Sequence, residues 1–132
     1  RDKLVTGVQT CALPIFMHPH FLREDEYAIP PLSLLPRLAK GQVTPDMAEV
    51  IPLVARLKEE MPLMIEEHRA ILGAVRAFAL AAESDGDEKA IRLAAELAVH
   101  AQLEEEVLYP AAVLVGEIVK AKLQPQRAGV AG

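Results

Sequence analysis

His20 and Glu24 stand four residues apart, and His100 and Glu104 repeat the pair. On a helix this spacing brings both side chains out of one face, one turn apart, so both can reach a single point. A carboxylate taken alone into a helical core costs on the order of several kcal/mol. A cation offsets that cost, and two carboxylates with several imidazoles form a donor set for a divalent or trivalent transition metal. Carboxylates can bridge two such ions, whereas each imidazole binds one. His68 adds a third imidazole at a core-facing helical position.

Taken singly, these residues carry less. A lone core histidine is ordinarily a packed side chain, and one His-x-x-x-Glu is an ordinary helical ion pair worth about 0.2–0.5 kcal/mol. The repeat decides between the readings. "HFLREDEYAIP" at 20–30 lines up with "HAQLEEEVLYP" at 100–110 at a constant offset of 80. Histidine falls on histidine, Glu24 on Glu104, Asp25 on Glu105, Glu26 on Glu106 and Pro30 on Pro110. We read this as duplication of a helix pair, with His20, Glu24, His68, His100 and Glu104 as metal ligands. Glu66, Glu67, Glu105, Glu106, Asp25 and Glu26 read as a solvated acidic rim. His18, two residues from His20, points elsewhere on the helix. Tyr27, one turn beyond Glu24, reads as helix-end packing in preference to a partner for a ligand carboxylate.

The elements that must position these residues are helical throughout, since apolar residues recur at three- and four-residue steps and no segment alternates. A first helix spans about 17–29 and stops at Pro30-Pro31. A short connecting helix spans about 32–39 and ends at Gly41. Thr44 is the expected N-cap of the next helix, with Pro45 at its first position. That helix runs to about Ala82, with Pro52 and Pro62 as kinks or a break. "ESDGD" at 83–87 is a turn, and a last helix spans about 88–123, bent near Pro110.

Three seams follow from the spacing. Met17, His20, Glu24 and Tyr27 form one, and Met61, Met64, His68, Ile71, Val75, Phe78 and Ala82 another. In the last helix Leu93, Leu97, His100, Glu104, Val107, Ala111, Leu114 and Ile118 step by alternating fours and threes, which predicts an inward-facing stripe. Arg69, Arg76, Glu83, Arg92 and Glu96 fall on the opposite faces.

"EEHRAI" at 66–71, "HAQLEEEVLYP" at 100–110 and "HFLREDEYAIPPL" at 20–32 resemble the hemerythrin-like, His-His-Glu cation-binding family. The likeness covers Met17 to about Leu123 and is weakest over 32–60. It implies an all-α, up-down four-helix bundle around a non-heme di-iron centre. Carried over, His20, His68 and His100 are terminal iron ligands and Glu24 and Glu104 bridges. Oxygen-carrying members have a histidine one turn after the third-helix ligand, and here that position is Leu72. Fewer imidazoles leave more open coordination positions, which suggests sensing, nitric-oxide-reactive or oxidase-like chemistry.

Residues 5–15, "VTGVQTCALPI", have no helical period, and one back-translation resembles a short-read sequencing adapter. We read 1–16 as a non-native, disordered leader with Phe16 at the junction, 17–123 as the hemerythrin-like domain and 124–132 as a disordered tail. His68 precedes His100 by 32 residues, so the counterpart of His68 that should precede His20 falls before residue 1. The expectation is a bundle lacking its first helix, with one iron under-ligated and a groove open to self-association.

The net charge of −5 with no basic cluster, and 4% aromatic residues without tryptophan, argue against nucleic acid. Cys11 is the only cysteine, so disulfides and thiolate metal sites are not expected. No apolar run is long enough for a bilayer, and cytoplasm is the default compartment. The leading expectation is a binding module for dioxygen or nitric oxide. The alternatives are a di-iron nitric-oxide or peroxide reductase and a metal-free helical interaction bundle. Zinc suits the ligand set less well, since structural zinc favours closed histidine and cysteine sets.

Overall fold

The computed structural model describes residues 17–124, and the expected leader and the tail beyond Gln124 lie outside them. The described residues are helical, with no strand among them. α1 covers 17–23 and runs on into a π turn at Glu24–Ala28. A 3-10 turn at Pro30–Leu34 leads to α2, Leu35–Ala39, and a second at Pro45–Glu49 leads to α3, Val50–Asp85. α4 is Glu88–Leu103, a π turn occupies Glu104–Leu108, and α5 is Tyr109–Leu123.

Local chemistry explains most of the boundaries. Gly41, at φ 77°, ends α2, with Gly41 N–H donating to Leu38 O and Gln42 N–H to Arg37 O. These two bonds satisfy carbonyls that the helix end would leave open. Gly86, at φ 71°, ends α3 in the same way, through Gly86 N–H to Glu83 O and Asp87 N–H to Ala82 O. Asp87 then caps α4, accepting from Ala90 N–H at 3.1 Å.

Three expectations are corrected. Thr44 stands at the N-cap position, but its hydroxyl donates to Asp46 instead of accepting from the backbone. Pro52 and Pro62 do not break α3, which is a single helix of 36 residues. Pro52 lies in the first turn, where its missing N–H leaves no bond unmade. The irregularity near Pro110 is a π turn just before it, with its equal before Pro30, so both copies of the repeat carry one.

The described residues form two compact units, 17–22 with 62–105 and 23–61 with 106–124. In the first, Ile71, Val75 and Ala94 form a core joined by Met17, Ala79 and Leu97. In the second, Leu34, Met47, Val50, Val115 and Val119 form a core against which Leu38, Val43, Ile51 and Leu123 pack. Gly116 lets α5 approach α3 closely, since a Cβ there would lie 2.5 Å from Val54.

The seams expected in α1 and α3 have their central residues buried: His20, Glu24 and Tyr27 in one, Met64, His68, Ile71 and Val75 in the other. The stripe expected along α4 and α5 does not turn inward as a whole. Leu93, Val107, Leu114 and Ile118 are exposed, Leu114 at 59%. The buried face is the small-residue one beside it, with Ala90, Ala94, Ala101, Ala112, Val115 and Val119. Small side chains let helices approach closely, and spacing alone does not tell which of two apolar faces is covered.

Candidate metal centre

α1 carries His20 and α3 carries His68 into the first unit, where their rings meet edge to face with centroids 4.5 Å apart. Glu104, the first residue of the second π turn, joins them. His68 Nε2 lies 3.0 Å from Glu104 Oε1, and His20 Nε2 lies 4.0 Å from the same oxygen. His20, His68 and Glu104 are 1%, 2% and 3% exposed. Ligand-capable atoms of these three fall within 4.8 Å of one another. Glu24, also buried and one helical turn on from His20, completes a group of four that could hold a metal ion.

His100 is placed differently from the other four expected ligands. Its side chain is 54% exposed, and its Nε2 lies 3.2 Å from Glu104 Oε2. The carboxylate of Glu104 thus has buried imidazoles at one oxygen and a solvent-facing imidazole at the other. His18 is exposed and stands outside the group.

The acidic rim expected around these residues is only partly a rim. Glu67 Oε1 is 3.1 Å from His20 Nδ1, and Glu105 Oε2 is 2.8 Å from His68 Nδ1. Each brace comes from the residue next in sequence to another member of the site: Glu67 beside His68, Glu105 beside Glu104. A carboxylate on Nδ1 fixes the ring orientation and presents Nε2 inward, as in metal-bound histidines. Glu66 and Glu26 keep the rim role, pairing with Arg69 and Arg56 on exposed surface.

Two tyrosines divide the roles that the sequence left between them. Tyr27 is buried and donates to Glu60 at 2.5 Å, with the Arg56 guanidinium 5.0 Å over its ring. Burial, with the hydrogen bond to Glu60, pushes its phenol well above the ordinary range. The tyrosine that reaches a candidate ligand is Tyr109, whose hydroxyl donates to Glu24 Oε1 at 2.7 Å. No signal of spacing pointed to it.

Burial favours the neutral form of His68, but the hydrogen bonds to Glu104 and Glu105 outweigh burial and raise its pKa above the ordinary 6.5. The ring is therefore a proton holder in the metal-free chain and competes with any metal for Nε2. The donors present, imidazole nitrogen and carboxylate oxygen in a buried cluster, suit first-row transition ions and exclude thiolate ligation. No family model, curated protein or solved structure matches the chain. Among the described residues, no helix is long and apolar enough to cross a membrane.

Proposed function

We propose that this chain is a metal-binding protein of the hemerythrin-like kind, which holds iron with His20, Glu24, His68, His100 and Glu104. The observation that carries the reading is the arrangement around Glu104: buried His20 and His68 face Oε1, and His100 faces Oε2. A carboxylate with imidazoles at both oxygens is a ready bridge between two ions, which supports the di-iron expectation. The Nδ1 braces from Glu67 and Glu105 support it further, because they orient both rings at no cost to Nε2.

Bound there, iron would supply reactivity toward dioxygen or nitric oxide, and the protein would supply ligands and a pocket. Binding or sensing of such a diatomic ligand is the function we assign. Burial of the inner residues keeps water from that side, while exposed His100 marks the approach from solvent.

The test is iron per chain together with the visible spectrum, after expression in iron-supplemented medium. The expected result is bound iron with a charge-transfer band, both lost in Glu104→Ala. A second reading has its own support, since His68 is already satisfied by Glu104 and Glu105 without an ion. In that reading the chain is a metal-free interaction bundle. A folded helical protein that takes up no metal would establish it and overturn the first.

A further inference from the structure

Tyr109 follows the second π turn directly, and that turn accounts for its position. Five residues after Glu104, an α-helical residue would lie well round the helix from it. A π turn closes its hydrogen bonds across five residues, so it brings Tyr109 back toward the face that Glu104 occupies. Tyr109 is 1% exposed, and its hydroxyl donates to Glu24 Oε1 at 2.7 Å. Its counterpart at the offset of 80, Ile29, is exposed and has no hydroxyl. The two copies of the repeat are therefore unequal at this point.

We propose that Tyr109 is a positioning residue that confines Glu24 to metal ligation through a single oxygen, leaving Glu104 as the one bridging carboxylate. The inference rests on the metal-binding reading. It departs from the family resemblance, under which both acids bridge. The phenol proton occupies Oε1 and draws on its charge, so ligation is favoured at the other oxygen. A phenol buried as deeply as this one keeps its acceptor, because nothing from solvent replaces it. Glu24 thus enters the metal site already oriented.

Cobalt(II) is the probe, bound to the full chain, because its visible ligand-field bands follow coordination number and geometry. Tyr109→Phe keeps the ring and removes the hydroxyl. The expected result is an unchanged cobalt-to-chain ratio with weaker visible bands, as Glu24 adds its second oxygen. In a Glu24→Ala background, Tyr109→Phe should change nothing further, since it acts only through Glu24. Independently of Tyr109, Glu24→Gln should keep the full cobalt ratio through its one carbonyl oxygen, whereas Glu104→Gln should lower it.

Identical spectra for Tyr109→Phe and the parent chain, both with cobalt bound, would overturn the proposal. So would loss of cobalt in Glu24→Gln to the level of Glu104→Gln. An intense phenolate-to-iron band in the ferric protein, lost in Tyr109→Phe, would make Tyr109 a ligand and overturn its positioning role. Failure of the parent chain to bind cobalt or iron overturns the metal reading itself, and this inference with it.

Discussion

At the residue scale, the site was legible as far as side-chain type and spacing reach. Four-residue spacing found His20 with Glu24 and His100 with Glu104, because one helical turn is a property of the local chain. Glu67, Glu105 and Tyr109 were not legible, since each acts on a residue from another helix and no periodicity reports that pairing. His68 is where these partners have a measurable consequence. Its pKa is raised above 6.5 in the metal-free chain, so the folded state binds the proton more tightly than the unfolded one. The stability it contributes is fully present below about pH 6.5 and is lost as pH rises through the folded value. In chelator, the gap in unfolding free energy between the chain and His68→Gln should therefore be widest near about pH 6 and narrow toward about pH 9. Denaturant titrations across that span check it. A gap that widens with pH would show that burial, and not the carboxylates, dominates at His68. Metal affinity should move the other way and rise with pH, because the ion must displace the proton.

At the element scale, helices were legible nearly throughout, but their irregular turns and the covered face of α5 were not. Both π turns begin at the glutamate of a His-x-x-x-Glu pair and end two residues before a proline. Proline cannot donate the backbone bond a regular helix would need, and a widened turn in front of it absorbs the mismatch. The repeat was visible in the sequence, yet the same letters would also read as plain helix. For α5, Leu114 and Ile118 form a better apolar stripe than Ala112 and Gly116, but close packing selects the smaller residues. Two glycines separate these effects. Gly116→Ala should destabilise by about 1–3 kcal/mol, because the new Cβ meets the Val54 side chain at 2.5 Å. Gly73, inside α3, has nothing within 4 Å of an added Cβ, so Gly73→Ala should stabilise by about 0.5–1 kcal/mol. Thermal melts of the two variants beside the parent chain measure both. Equal effects would mean that α5 does not approach α3 as closely as Gly116 requires.

At the scale of the whole molecule, the all-helical class was legible, whereas the division into two compact units was not. Its boundaries fall inside helices, at Leu22/Arg23, Met61/Pro62 and Glu105/Glu106, where no change of composition marks a linker. Each unit has a core of its own, built from a handful of residues, so stability also depends on how the buried polar groups are satisfied. An unfolded chain cannot hold His20, His68 and Glu104 together, so an ion that binds this group binds the folded form alone. Such an ion stabilises by mass action, by about 2.7 kcal/mol when its free concentration is a hundred times its Kd. For a chain of this size that amounts to a rise in Tm on the order of 10 °C. Melting the protein with ferrous iron under anaerobic conditions, and again with a chelator, should show that rise. His68→Ala should melt at one temperature in both, because it removes a ligand. A parent chain whose Tm ignores iron would mean that the histidines and glutamates satisfy one another, and that the buried cluster is a structural pairing and not a metal centre.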